Sequence, residues 1–230
     1  MNLKWILFLI FSFLSRPTFA LYGARVVSAG KFSGVASLHL QDPENSTNRA
    51  FCAAVLISPT KVLTAGHCID VIGMEVYDFS MRLINDPQLL RVKIAGKNHE
   101  VKSVYYAPSY FEAAGFEGED VAVIELKEKS FATPLPVASA SALSLNRAVT
   151  LVAHGLEGKS RIKYLKQLNG HRMMTFDGGT SGACAGDSGG AVIIENKGRF
   201  ELAGIILSEG EGCERKDSWS VHPSLTTRSL

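Results

Sequence analysis

The feature that most constrains the fold is a succession of short β-rich segments separated by turn residues. Segments such as Val35–Leu40, Lys61–Thr64 and Ala148–Ala153 are rich in β-branched and apolar residues, and no stretch has the period of a long amphipathic helix. Such spacing predicts an all-β chain built of antiparallel barrels. The 230 residues, 46% of them hydrophobic, suffice for the core of one large all-β unit or of two small ones. Further strands are predicted at Phe51–Ile57, Met81–Ile84, Leu89–Ile94, Val101–Tyr106, Val121–Leu126, Tyr164–Leu168, Arg172–Phe176, Ala191–Ile194, Leu202–Leu207 and Trp219–His222.

Residues 1–20 have the features of a secretory signal peptide. Lys4 gives a positive start, Trp5–Leu14 is a short apolar run, and Ala20 is a small residue at the expected cleavage point. A membrane anchor is the alternative, but the apolar run is well short of the ~20 residues that a spanning helix needs. The sequence therefore predicts a secreted protein without a stable membrane anchor, located in the periplasm if the source is bacterial.

The charge balance excludes an electrostatic footprint for nucleic acid. Of the 24 basic residues, three (Lys4, Arg16 and Arg25) precede residue 26, which leaves 24 minus three, or 21, against 22 acidic residues. The remainder of the chain is therefore near neutral, and it contains no basic run.

Four cysteines lie beyond the predicted signal peptide. An even number of cysteines in a secreted chain predicts two disulfides, and the sequence alone allows three pairings. These cysteines are Cys52, Cys68, Cys184 and Cys213. No cluster of histidine and cysteine has the spacing of a zinc site, and no metal or cofactor is predicted.

The segment Gly186-Asp187-Ser188-Gly189-Gly190 places a serine among residues that allow close approach to a substrate. The backbone N–H groups of Gly186 and Ser188 could stabilise negative charge on one oxygen. Ser188 becomes a nucleophile only if a base removes its proton.

The first half of the chain offers such a base and a group to orient it. His67 follows a predicted strand within Ala-Gly-His-Cys, and Asp120 precedes the apolar run Val121–Leu126. No catalytic role is assigned to the other histidines, His39, His99, His154, His171 and His222.

These three motifs, in this order and spacing, resemble the trypsin-like serine proteases of the chymotrypsin fold from Val26 to about Val221. The resemblance implies two antiparallel six-stranded β-barrels packed side by side, with the active site in the cleft between them. Residues 26–130 would form the N-terminal barrel with His67 and Asp120, and residues 131–230 the C-terminal barrel with Ser188.

The resemblance also implies a mechanism, peptide-bond hydrolysis through an acyl-enzyme. Ser188 would attack, His67 would act as the base, and Asp120 would orient His67. The N–H groups of Gly186 and Ser188 would form the oxyanion hole. Protein or peptide substrates, an activating protease and protein inhibitors are the implied partners.

Two further features are implied by the family. The disulfides would join Cys52 to Cys68 and Cys184 to Cys213. Residues 21–25 would be a short propeptide removed by cleavage after Arg25, and the new amino group of Val26 would pair with Asp187. The sequence departs from the family at Ser28 and Ala29, where two glycines are usual.

The specificity pocket also departs from the trypsin pattern. Gly182 stands where a trypsin-like enzyme has an aspartate, and Glu209 replaces the usual tryptophan. Gly182, Ala183, Ser208 and Gly210 are the predicted substrate-binding residues, and they favour an apolar P1 side chain. The acids at Glu209 and Glu211 leave open an attraction for basic residues.

A second interpretation shares this fold. A catalytically weak or inactive homologue that acts as a binding protein would keep the same motifs but have a remodelled cleft. A third interpretation is an esterase without peptidase activity, which would differ from the peptidase only in its substrate.

Overall fold

The computed structural model describes residues 21–41, 50–70, 87–106, 120–168, 171–177, 181–207 and 218–221 of the chain. Within these residues every pairing between two strands is antiparallel. The predicted all-β class is confirmed.

The first half of the chain forms a closed barrel of six strands in the order β2-β3-β4-β7-β6-β5. Its strands are β2 (Val35–Leu40), β3 (Ala50–Ser58), β4 (Lys61–Thr64), β5 (Leu90–Ile94), β6 (Lys97–Tyr106) and β7 (Ala122–Leu126). On β5 the side chains alternate, with Leu90, Val92 and Ile94 buried and Lys93 exposed. This period of two is what a strand with one face toward a barrel interior requires.

In the second half, the strand pairings form a closed circuit. The order β9-β10-β13-β12-β11-β8 closes through the pairing of β8 with β9, and β1 is added at the side of β9. These strands are β1 (Arg25–Val26), β8 (Ala148–Ala153), β9 (Leu156–Leu168), β10 (His171–Asp177), β11 (Ala191–Asn196), β12 (Arg199–Leu207) and β13 (Ser218–Val221).

Strand β9 is longer than the sequence suggested, since only its end at Tyr164–Leu168 was predicted. Its first half carries charged residues, and Glu157 is 3% exposed. Lys31 and Arg25, both more than a hundred residues away in sequence, neutralise this carboxylate. The predicted strand Met81–Ile84 lies outside the described residues.

Helices are nearly absent from the described part of the chain. It contains one α-helix, α1 (Gly66–Asp70), and two single-turn 3-10 helices. No helix among the described residues is long and apolar enough to cross a membrane.

The two halves share their cores and join at the backbone of Ala53. Ala53 lies on β3 of the first barrel, but it packs in the hydrophobic cluster of the second half. Its N–H donates to the carbonyl oxygen of Ser188 at 2.8 Å. A Cβ built on the neighbouring Gly189 would lie 2.0 Å from the Ala53 carbonyl oxygen and 2.3 Å from Thr64 Oγ1. This junction therefore requires glycine at position 189.

We predict that Gly189→Ala destabilises the protein by roughly 3 kcal/mol or more, because strained backbone and overpacking add. The matched control is Gly198→Ala. Gly198 also has a positive φ (+75° against +83°), but its Cβ would meet nothing within 4 Å. The control should lose only about 1–2 kcal/mol. Denaturant unfolding measures both, and equal losses would contradict the junction.

Candidate active site

The register between β4 and β7 brings two of the predicted site residues together. Thr64 at the end of β4 pairs with Ala122 at the start of β7. The chain continues from Thr64 into α1, which contains His67, and Asp120 stands just before β7. His67 and Asp120 therefore meet at the same end of the first barrel.

Both carboxylate oxygens of Asp120 bind His67. Oδ1 accepts the backbone N–H of His67 at 2.7 Å, and Oδ2 accepts Nδ1–H at 2.6 Å. The Asp120 side chain is 6% exposed and that of His67 is 22% exposed. Because Nδ1 donates to the carboxylate, the neutral ring has Nε2 free of hydrogen and able to accept a proton. This is the tautomer that a general base needs.

A disulfide between Cys52 and Cys68 adjoins His67. A ring nitrogen of His67 and both sulfur atoms lie within 4.8 Å of one another. Bonded sulfurs are not thiolate ligands, so this group is a covalent brace and not a metal site. The predicted pairing of these two cysteines is confirmed.

Ser188 lies in a tight loop that is bonded to both halves of the molecule. Its carbonyl oxygen accepts from Ala53, the neighbour of Cys52, and the next N–H, that of Gly189, donates to Ile206 on β12 at 2.8 Å. Ser188 is 3% exposed. The Ser188 backbone is thus tied to β3 at the residue beside the disulfide that braces His67.

Asp187 is fully buried beside Ser188, and only one of its oxygens is paired. Oδ2 accepts from the Cys184 N–H at 2.7 Å, whereas Oδ1 has no hydrogen-bond partner. Burial raises the pKa of Asp187 to about 7, and the Cys184 hydrogen bond opposes that rise. A buried carboxylate with one unpaired oxygen is stabilised in its charged form by a cationic partner.

His154 makes a contact with the serine loop that the sequence did not predict. It occupies the two-residue turn between β8 and β9 with a positive φ of 48°. Its Nε2 lies 2.8 Å from the carbonyl oxygen of Gly186, and since a carbonyl only accepts, Nε2 is the donor. Burial lowers the pKa of His154, which favours the neutral ring, and the hydrogen bond partly opposes this. The only signal in the sequence was a histidine before a turn glycine.

The segment from Leu21 to Val26 lies against the second half of the molecule. Leu21 is 3% exposed within the second core cluster, and Tyr22 exchanges two backbone hydrogen bonds with Gly182 at 2.9 and 3.2 Å. Arg25 forms an ion pair with the buried Glu157 at 2.8 Å, and Val26 is 77% exposed. The pKa of Glu157 is lowered, chiefly by the hydrogen bond from Lys31 and further by that from Arg25.

The structure describes part of the predicted specificity pocket. Ala183 is half-buried against the second core cluster, and Cys184 takes part in a disulfide. Its predicted partner Cys213, together with the pocket residues Ser208 and Gly210, lies outside the described residues.

Comparisons with known proteins place the chain in a family. The family model for trypsin matches residues 22–228. A protein named trypsin from Saccharopolyspora erythraea is 30% identical over 195 residues, which cover 75% of this chain and 81% of that protein. Protein masquerade of Drosophila melanogaster is 27% identical over 220 residues, covering 77% of this chain but only 20% of that longer protein. The chain belongs to the trypsin family.

Proposed function

We propose that this protein is a secreted serine endopeptidase with Ser188 as nucleophile, His67 as general base and Asp120 as the residue that orients it. Trypsin-like serine proteases act on proteins, and this chain shares their fold. The observation that carries the proposal is the double hydrogen bond of Asp120 to His67. It supports a fixed ring whose Nε2 can take a proton.

The reaction follows from these roles. Ser188 Oγ attacks the scissile carbonyl carbon while its proton moves to His67 Nε2, and the N–H groups of Gly186 and Ser188 hold the oxyanion. The C–N bond then breaks, and the proton passes from His67 to the leaving amine. Water attacks the acyl-enzyme by the same route, which releases the acid and restores Ser188. His154 would assist by holding the carbonyl of Gly186, since this bond limits rotation of the Gly186–Asp187 peptide unit, which adjoins the unit that carries the Gly186 N–H.

We predict that a fluorophosphonate labels the secreted, processed protein at Ser188, as mapped by peptide mass spectrometry. His67→Ala should abolish labelling, and Asp120→Asn should lower peptidase kcat by about 10⁴-fold, because the tautomer is no longer fixed. Ser144→Ala, an exposed serine on the connection between the barrels, is the control and should label normally. A properly folded protein that does not label is the result expected of a non-catalytic binding protein.

We further propose an apolar preference at P1, carried by Gly182 and Ala183 with Ser208 and Gly210. A panel of peptides that differ only at P1 should be cleaved fastest after leucine, phenylalanine or tyrosine. Gly182→Asp should shift the kcat/KM ratio toward arginine, because it adds a negative charge at that position. Dominant cleavage after arginine by the unaltered protein would overturn the preference and point to Glu209 or Glu211.

A further inference from the structure

The proposed oxyanion donor Gly186 lies inside a tight turn of the backbone. The Asp187 N–H donates to the Cys184 carbonyl oxygen at 3.0 Å and closes a turn over residues 184–187. Gly186, the third residue of this turn, has a φ of +92°, whereas the φ of Ala185 is not positive, which is the pattern of a type II turn. In a type I turn the central peptide unit, which carries the Gly186 N–H, is rotated by roughly half a turn. The conformation of this turn therefore decides where the proposed donor points.

Glycine permits this conformation but does not hold it. Because it has no Cβ, Gly186 can adopt either sign of φ with similar ease, so the surrounding structure has to restrain it. His154 supplies a restraint on the carbonyl side. Its Nε2 donates to the Gly186 carbonyl oxygen at 2.8 Å from a position 32 residues earlier in the chain.

Two hydrogen bonds act on the same peptide unit of the turn. The unit between Gly186 and Asp187 accepts from His154 at its carbonyl and donates to Cys184 at its N–H. A hydrogen bond to the carbonyl of a peptide polarises the unit and strengthens its N–H as a donor. The bond from His154 therefore strengthens the bond that closes the turn, besides restraining the ψ angle of Gly186 directly.

The turn that carries His154 is itself fixed beside the serine loop. His154 and Gly155 have φ values of 48° and 78° between the paired strands β8 and β9, which is the geometry of a type I′ hairpin turn. The Gly155 carbonyl oxygen accepts from the Val27 N–H at 2.9 Å. A Cβ built on Gly190 would lie 2.8 Å from the Val152 carbonyl oxygen, so the end of β8 is in close contact with the serine loop. Such a turn favours asparagine or glycine at its first position, and the histidine adds a ring nitrogen that reaches the loop.

We propose that His154 is a positioning residue for the oxyanion hole: it acts through the Gly186–Asp187 peptide unit and holds the turn in which the Gly186 N–H faces the substrate carbonyl oxygen. This inference rests on the proposed peptidase function for its kinetic readout. Burial lowers the pKa of His154, so the ring is neutral at pH 7 and the hydrogen that it carries is on Nε2.

Two substitutions of His154 in the secreted, processed protein test the proposal. His154→Gln keeps a side-chain N–H donor, whereas His154→Leu removes it. In His154→Leu, kcat for a peptide amide should fall on the order of 10-fold, less than the roughly 10²–10³-fold that loss of an oxyanion donor costs, because the donor is misdirected but not removed. KM should change by less than about twofold, and the affinity for a peptidyl boronic acid should fall by the same factor as kcat. His154→Gln should retain kcat within about threefold.

The matched control for these variants is Lys197→Leu. Lys197 and Gly198 form the turn between β11 and β12 with φ values of 50° and 75°, and Lys197 is exposed. This turn lies at the end of β11 that is remote from the serine loop, since the loop precedes Ala191. The control therefore places leucine at the same kind of turn position without a bond to Gly186, and its kcat should equal that of the unaltered protein.

Amide hydrogen exchange separates this inference from the function on which it rests. The Asp187 N–H, followed by NMR in ¹⁵N-labelled protein, should exchange about 10-fold faster in His154→Leu, but not in His154→Gln or Lys197→Leu. If exchange is faster in a protein that neither cleaves peptides nor labels with fluorophosphonate, the positioning role is correct and the peptidase function is wrong. Unchanged exchange in folded His154→Leu protein would overturn the inference, as would equal losses of kcat in the leucine and glutamine variants.

Discussion

The hydrogen bond from Ala53 to the carbonyl oxygen of Ser188 is the contact on which the site depends. It fixes the serine loop of the second half against β3 of the first barrel. Cys52, the residue before Ala53, is bonded to Cys68, the residue after His67. The proposed base His67 and the proposed nucleophile Ser188, 121 positions apart in the chain, are thus both tied to β3. Hydrophobic clusters with residues from both halves offset the entropy cost of closing a loop over so many residues.

Electrostatics imposes the second constraint. Asp120 is satisfied by two donors from His67, so its burial does not leave an unpaired charge. Asp187 is buried as well, but its Oδ1 has no hydrogen-bond partner. Its raised pKa reflects the cost of ionising the carboxyl group there. The same loop carries Gly186, whose carbonyl is held by His154. The loop that would form the oxyanion hole is therefore fixed by one neutral donor, and the unpaired oxygen of Asp187 has room for one more.

The strands that the sequence predicted are those whose buried residues are mainly apolar. Val35–Leu40, Lys61–Thr64 and Ala148–Ala153 have the predicted bounds because their own residues, rich in β-branched and apolar types, specify a strand. The first half of β9 was missed, since Glu157 is buried only through Lys31 and Arg25, which lie far away in sequence. Contacts of that kind leave no periodic signal.

The candidate site divides in the same way. The pairing of Cys52 with Cys68 and the approach of His67 to Asp120 could be predicted because both follow from a familiar order of motifs. The bond of His154 to Gly186 and the burial of Leu21 could not, because each depends on a turn or register that forms only in the folded chain. Cleavage after Arg25 and the pairing of Val26 with Asp187 follow from the resemblance and remain predictions.

The most direct measurement of the central claim is a crystal structure of the secreted, processed protein with a peptidyl boronic acid. The account predicts a bond from Ser188 Oγ to boron, one boron hydroxyl accepting from the Gly186 and Ser188 N–H groups, and His67 Nε2 within hydrogen-bond distance of the adduct. An empty cleft, or a Ser188 hydroxyl directed away from His67 in this processed protein, would contradict the account.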